Sequence, residues 1–142
     1  MKPSVLKRLE RFNKALKILE DVKDKGKDVF ISDDFLISVA ERNIHVACEF
    51  ALDLSSFILS EINAGVPETY KDMIKKLNEA KVIDKELEEK MKGIVGLRNI
   101  IVHLYADIKY DVIFDSLEEI VSTLKNFVEI LLKYCKEKGI DP

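Results

Sequence analysis

The sequence predicts an all-α protein, folded as an up-and-down bundle of about five helices. Apolar residues recur at intervals of three or four along most of the chain, which is the spacing of helices with one buried face. No segment shows the alternating pattern of a strand, and no linker rich in Pro, Gly or Ser divides the chain. With 142 residues, 47% of them hydrophobic, we expect residues 1–142 to form one helical domain around one core.

Capping residues and breaks in the apolar pattern place the helices. Ser32 or Asp33 is the expected cap of the second helix, Pro67 marks the start of a short third helix, and Asp84 caps the fourth. The last helix repeats its apolar residues at alternating four- and three-residue steps, which favours the shallow crossing angles of a bundle. In chain order, the five expected helices cover residues 4 to about 25, residues 33 to about 62, residues 67 to about 77, residues 84 to beyond 101, and residues 111 to 137.

Charge and composition limit the classes of partner. A net charge of −3 and a pI near 5.5 argue against a broad basic surface for nucleic acid, because such surfaces need many contacts between Lys or Arg and phosphates. Any contact with nucleic acid is therefore expected to be local. Lys71, Lys75, Lys109 and Arg42 are the candidates for guiding RNA.

The two cysteines, Cys48 and Cys135, lie in apolar helical surroundings without CxxC spacing, so we expect buried thiols in a reducing cytoplasm. No apolar run approaches the roughly 20 residues of a membrane helix, and the N-terminus lacks the apolar core of an export signal. The sequence therefore predicts a soluble, cytoplasmic protein that contacts no membrane. No pattern of metal ligands or phosphate-binding glycines occurs, so neither a metal nor another cofactor is expected.

One helical segment, GLRNIIVHLYADI at residues 96–108, carries an unusual set of polar residues. At about 100° per residue, with Arg98 set at zero, Asn99 lies near 100°, His103 near 140° and Tyr105 near 340°. The arc between roughly 200° and 300° is apolar and is expected to face the core; it contains Leu97, Ile100, Ile101 and Leu104. Arg98, Asn99 and His103 should then border solvent or a partner chain.

These residue types suit the cleavage of RNA. Histidine can take the proton from a ribose 2′-hydroxyl or give one to the leaving 5′-oxygen. Arginine offers a permanent charge to the negative charge that builds on phosphorus, and asparagine can orient the imidazole. A symmetric dimer would bring two copies of Arg98 and His103 to one cleft, and no metal is needed.

The string GLRNIIVHLY, together with AERNIHVACEFALDLSSFI and GVPETYKDMIKKLNEAKVI, resembles the HEPN superfamily, in particular the HepT-like toxins with their Arg-x4-His-x-Tyr motif. The resemblance implies an all-helical HEPN homodimer whose motif helices meet at the interface. It also implies a metal-independent endoribonuclease acting on tRNA or mRNA, the toxin of a type VII toxin–antitoxin system.

The resemblance assigns roles residue by residue. Arg98 and His103 match the catalytic pair, with Asn99 beside them, and Tyr105 matches the tyrosine that a minimal nucleotidyltransferase (MNT) antitoxin modifies with AMP.

Alternative interpretations remain for each residue. Arg98, Asn99 and His103 can form a polar interface without chemistry, and Tyr105 can be an amphipathic aromatic residue with a solvated hydroxyl. His45, close to Glu41 and Glu49 on the second helix, is expected to be hydrogen-bonded rather than a metal ligand. The alternative function is a non-catalytic helical binding subunit of a minimal nucleotidyltransferase.

Overall fold

In a computed structural model that describes residues 1–103 and 107–142, the chain is built from helices. The helices of the described residues are α1 (Pro3–Asp24), α2 (Lys27–Ile31), α3 (Asp34–Glu61), α4 (Tyr70–Glu79), α5 (Lys85–His103) and α6 (Tyr110–Lys138). Neither of the two described stretches contains a strand. The all-α prediction is therefore confirmed, with one short helix that the sequence pattern did not indicate.

Aspartate side chains cap two of the long helices at the predicted places. Asp33 Oδ1 accepts a hydrogen bond from the backbone N–H of Phe35 at 2.9 Å, so Asp33 rather than Ser32 begins α3. Asp84 Oδ1 accepts from the backbone N–H of Leu87 at 2.8 Å, which confirms Asp84 as the cap of α5. Both carboxylates satisfy amides that have no partner within the helix, and their negative charge suits a helix N-terminus.

The start of α4 differs from the prediction. Pro67 does not begin this helix, because the Thr69 hydroxyl accepts from the backbone N–H of Asp72 at 3.0 Å and thereby makes Thr69 the cap. In return, the Asp72 carboxylate accepts from the backbone N–H of Glu68 at 3.0 Å. This exchange of hydrogen bonds fixes the path by which the chain enters α4, and it places Tyr70 at the first position of the helix.

α2 is the helix that the sequence pattern missed. It has five residues, and Phe30 is the one that is buried. Gly26, with a φ of +92°, turns the chain between α1 and α2 in a conformation that a side chain would strain. One buried residue cannot produce a periodic pattern, so no helix was expected between α1 and α3.

α3 is central to the packing, because α1, α4, α5 and α6 all contact it. The core between these helices is apolar, and Phe12, Ile44, Ile58, Leu117 and Phe127 are almost completely buried there. α4 and α5 also pack against each other. The start of α4, the end of α5 and the middle of α3 therefore meet at one corner of the bundle.

Cys48 on α3 and Cys135 on α6 are free and buried, as predicted. Among the helices of the described residues, none is both long enough and apolar enough to cross a membrane.

Candidate functional site

A cleft of about 400 Å³ opens between the last turns of α5 and the segment that leads into α4. Arg98, Asn99 and His103 line the cleft from α5, and Thr69 and Tyr70 line it from the other side. The structure thus brings together three of the four polar residues of the motif. The fourth, Tyr105, lies outside the described residues.

Arg98 is the most constrained residue of the cleft. Its side chain is buried, and Nε and Nη2 donate to the same oxygen, Glu49 Oε1, at 3.0 Å and 2.6 Å. Nη1 donates to Asn99 Oδ1 at 3.1 Å. The centre of the Tyr70 ring is 4.8 Å from Arg98 Cζ, which is within the range of a cation–π interaction. Side chains from α3, α4 and α5 therefore hold the guanidinium group in place.

The predicted orientation of Arg98 was wrong. The buried positions of α5 include Met91, Ile94, Val95 and Ile101, and at 100° per residue these positions surround Arg98 on the helical wheel. Arg98 therefore lies in the buried stripe. Ile100, predicted to face the core, is 38% exposed. The carboxylate of Glu49 makes this possible, because a buried guanidinium group is tolerated when an acid pairs with it.

Asn99 is half-buried and His103 is exposed, in agreement with the expected outward orientation of both residues. They lie one turn apart on the same side of α5, as residues four apart on a helix do. Because Asn99 Oδ1 accepts from Arg98, its amide N–H groups are the donors that Asn99 can present to the cleft. The cleft therefore combines a fixed cation, an amide donor and an imidazole ring.

Glu49 links Arg98 to other groups on α3. His45 Nε2 lies 3.4 Å from the same Glu49 Oε1 that Arg98 contacts, so His45 faces Glu49 rather than Glu41. Burial raises the pKa of the Cys48 thiol and outweighs the opposing effect of the nearby Arg98, so the pKa is about 12. Cys48 therefore remains a protonated thiol at neutral pH and is unsuited to act as a nucleophile. Within residues 1–103 and 107–142, no three or more His, Cys, Asp or Glu side chains are grouped to hold a metal ion.

Comparison with protein families identifies the chain. The family model described as ribonuclease HepT-like matches residues 12–131, which is most of the sequence. The chain belongs to the HepT-like ribonuclease family. The match covers α3, α4 and α5, the helices that form the cleft around Arg98.

Known proteins similar to this HepT-like chain agree with that assignment. An mRNA nuclease HepT of Shewanella oneidensis is 23% identical over 131 residues, covering 92% of this chain and 98% of the relative. A tRNA nuclease HepT of Aphanizomenon flos-aquae is 27% identical over 107 residues, covering 75% and 73%. The tri-AMPylated HEPN toxin of Shewanella oneidensis, solved in complex with an MNT antitoxin, superposes with a TM-score of 0.85 at 22% identity, covering 94% of this chain and 99% of the toxin. The HEPN fold predicted for the HepT-like chain is thereby confirmed.

Two residues that contact Arg98 were not singled out from the sequence. Glu49 was considered only as a neighbour of His45, and no role was assigned to Tyr70. Their contacts with Arg98 cross 49 and 28 positions of the chain, and a single sequence gives no signal for such pairs.

The four residues predicted to guide RNA lie at different places relative to the cleft around Arg98. Of the described residues that line the cleft around Arg98, none is a lysine, so Lys71, Lys75 and Lys109 are not part of its lining. Arg42 lines a separate cleft between α1 and α3, together with His45 and Glu49.

Proposed function

We propose that this HepT-like chain is the toxin of a type VII HEPN/MNT toxin–antitoxin system and that it cuts RNA as a metal-independent endoribonuclease. The observation that carries the proposal is the position of Arg98, fixed by Glu49 in a cleft that Asn99 and His103 also line. Two relatives described as nucleases of mRNA and of tRNA support RNA as the substrate.

The proposed chemistry needs one proton acceptor and one proton donor. His103 takes the proton of a ribose 2′-hydroxyl, and the 2′-oxygen attacks the adjacent phosphorus. The bond from phosphorus to the 5′-oxygen then breaks, and the leaving oxygen takes a proton from the second copy of His103 in a dimer. The products are a 2′,3′-cyclic phosphate and a 5′-hydroxyl end.

In this proposal Arg98 stabilises the charge that develops on the phosphate oxygens. A guanidinium group has five N–H donors, and three of them are used by the hydrogen bonds to Glu49 and Asn99. The remaining two N–H bonds of Arg98 can serve phosphate oxygens. A donor that is already fixed needs no reorganisation during the reaction, which is the source of its catalytic effect. Asn99 supplies a further donor or orients His103.

The proposal includes regulation by a partner enzyme. We assign to Tyr105 the role of the tyrosine that a cognate MNT antitoxin converts to O-AMP-tyrosine. Support comes from the similar Shewanella toxin, which is described as tri-AMPylated and in complex with an MNT antitoxin. In the sequence, Tyr105 follows His103 by two positions, so the AMP group would be attached within the Arg-x4-His-x-Tyr motif itself.

One observation favours the alternative, a non-catalytic binding subunit of a minimal nucleotidyltransferase. The guanidinium group of Arg98 already has a carboxylate partner and a second hydrogen-bond acceptor within the chain. A purely structural arginine would make the same contacts. The two hypotheses differ in whether the isolated chain cuts RNA.

The test is an RNA-cleavage assay with end-labelled single-stranded RNA and the purified chain in excess EDTA. We expect cleavage that leaves 2′,3′-cyclic phosphate ends, and His103→Ala should lower the rate by about 100-fold or more. Because His103 is exposed, this variant should fold normally. Glu89→Ala, an exposed change on the same helix, is the matched control and should cut at the wild-type rate. Equal cleavage by His103→Ala, or cleavage of a 2′-deoxy substrate, would refute the mechanism, and a complete lack of cleavage would support the binding subunit.

A further inference from the structure

A second cleft, of about 180 Å³, lies between α1 and α3. It is lined by Arg8 and Arg11 from α1 and by Arg42, His45 and Glu49 from α3. We call it the arginine cleft. Glu49 belongs to its lining and also binds Arg98, so this one side chain connects the arginine cleft to the candidate active site.

The distribution of arginine in the chain is uneven. The sequence has four arginines and 19 lysines. Three of the four arginines line the arginine cleft, and the fourth, Arg98, is hydrogen-bonded to Glu49 of the same lining. Lysines are abundant elsewhere, so a general need for positive charge does not explain this concentration. Guanidinium groups differ from ammonium groups in their planar fork of donors, which matches two oxygens of a phosphate.

The arginines of the cleft are not all used within the chain. Arg8 forms an ion pair with Asp53, and its Cζ lies 5.6 Å from the centre of the Phe50 ring. Among the described residues, no carboxylate pairs with Arg11 or Arg42, and both side chains are exposed. Glu49 is the acid within the lining, and Arg98 already balances its charge through two hydrogen bonds. Within the described part of the chain, no acid forms an ion pair that would neutralise the charges of Arg11 and Arg42 in this cleft.

We propose that the arginine cleft binds phosphates of the RNA strand that flank the phosphate held in the candidate active site. This inference rests on the proposed ribonuclease function. Arg11 and Arg42 would donate to phosphate oxygens, while Arg8, paired with Asp53 and close to the Phe50 ring, would form part of the cleft wall. Val46 and Phe50 also line the cleft. A protein interface, in which arginine and aromatic residues are common, is the competing interpretation that the experiment below distinguishes.

The experiment measures binding by the full chain to a fluorescein-labelled, fully 2′-O-methylated RNA 12-mer. This probe lacks the attacking hydroxyl, so affinity is measured without cleavage. The test variant is Arg11→Gln with Arg42→Gln. The matched control is Lys125→Gln with Lys136→Gln, which removes the same charge from exposed positions on α6. Fluorescence anisotropy is recorded over a range of salt concentrations.

We expect the double arginine variant to bind at least tenfold more weakly. Its plot of log affinity against log salt should be shallower by about 1.4, since each lost phosphate contact of a single strand lowers the slope by about 0.7. The lysine control should bind within about twofold of wild type if the contacts are local. Arg11→Lys with Arg42→Lys should keep the salt slope and lose part of the affinity, because charge remains without the fork.

Three results would overturn the proposal. The first is that the double arginine variant and wild type have equal affinity for RNA and equal salt slopes, and the second is that wild type does not bind the RNA. The third is that the double arginine variant keeps its RNA binding but loses binding to the cognate nucleotidyltransferase. The last result would assign the arginine cleft to a protein partner. This outcome can be distinguished from that of the nuclease test. If wild type bound RNA through these arginines but did not cut it, only the proposed nuclease activity would be refuted. If wild type cut RNA and the double arginine variant bound RNA as well as wild type, only the proposed phosphate-binding role of the arginine cleft would be refuted.

Discussion

Arg98 owes its position to one carboxylate oxygen. Glu49 Oε1 accepts both the Nε–H and the Nη2–H of Arg98, and the guanidinium group is buried. A buried cation without its partner is costly, because the lost hydration is no longer compensated. The pair therefore matters both for the fold and for the proposed chemistry.

Glu49→Gln is expected to lower the free energy of unfolding by about 2 kcal/mol, somewhat less than for a fully buried pair because the Glu49 side chain is 35% exposed. Urea denaturation at neutral pH measures the loss. Glu61→Gln, an exposed change on the same helix, serves as control and should alter the free energy by less than about 0.5 kcal/mol. If the two variants were equally stable, the ion pair would have no structural role.

Cys48, next to Glu49 in sequence, gives the fold a dependence on alkaline pH. Burial raises the pKa of its thiol from 9.0 to about 12. The unfolded chain thus loses this proton at a lower pH than the folded chain. The thiol has no effect on the pH dependence of stability well below pH 9, and it destabilises the fold as the pH rises from about 9 toward about 12.

The expected consequence is a difference between wild type and Cys48→Ala that changes with pH. Above about pH 9, the free energy of unfolding of wild type should fall relative to that of the variant by up to about 1.4 kcal/mol per pH unit. Urea denaturation of both proteins at about pH 8 and about pH 10.5 measures this. A difference that stays constant between these two conditions would show that the Cys48 thiol ionises in the folded chain as easily as in the unfolded one.

Sequence reasoning identified the candidate site residues of α5 but not their environment. Arg98, Asn99 and His103 were identified from their spacing, and the structure places all three on one cleft. The burial of Arg98 was not predicted, because the helical wheel placed the core on the most apolar arc. The side of α5 that carries Arg98 becomes suitable for burial through the contact with Glu49, which lies 49 positions earlier in the chain.

At the scale of the elements, α4 acts as a support for the site. Tyr70, its first residue, packs against the Arg98 guanidinium. The Thr69 cap and the Asp72 carboxylate hold the entry to the helix. The conformation of Tyr70 therefore depends on the first turn of α4 as well as on its own contacts.

Thr69→Ala should lower the free energy of unfolding by about 1 kcal/mol, because the backbone N–H of Asp72 loses its acceptor. Thr69→Ser keeps a hydroxyl at the same place and is expected to retain most of the stability. Denaturation gives the free energies, and hydrogen exchange at the Asp72 amide reports the cap itself. Equal exchange rates in the Ala and Ser variants would contradict the role assigned to this hydroxyl.

Helix boundaries were predictable where a side chain alone determines them. Asp33 and Asp84 cap α3 and α5 as the sequence suggests, since an acid before an apolar periodic segment has one favourable arrangement. Pro67 gave a misleading start for α4, because Thr69 competes for the same role and wins through its bond to Asp72. α2 depends on one buried residue, Phe30, and such a short helix forms through tertiary packing rather than through its own periodicity.

At the scale of the whole molecule, the outward side of α5 is important. On the helical wheel, Asn99, His103 and Ile100 occupy one arc between about 100° and 200° from Arg98. Ile100 is 38% exposed and so leaves apolar surface beside the proposed catalytic residues. This arrangement supports the proposal that two chains associate through their α5 helices and share a cleft.

Wild type is expected to have twice the chain mass of 16.3 kDa in solution, and Ile100→Glu should weaken the association at least tenfold by placing charge in an apolar contact. Sedimentation velocity over a range of protein concentrations measures the mass of wild type and the strength of association of the variant. Phe35→Glu, which alters a more exposed apolar residue far along the chain on α3, is the control and should remain dimeric. A wild type with the mass of one chain, or two variants that dimerise alike, would remove the support for a shared cleft.

The concentration of arginine around Glu49 also has a practical use. Reagents that modify arginine selectively, such as phenylglyoxal, can report on this region alone, since the chain has no arginine besides Arg8, Arg11, Arg42 and Arg98. The exposed Arg11 and Arg42 should react early and the buried Arg98 late, so mass spectrometry of the labelled chain can follow occupancy of the arginine cleft and exposure of Arg98 as separate signals in one sample.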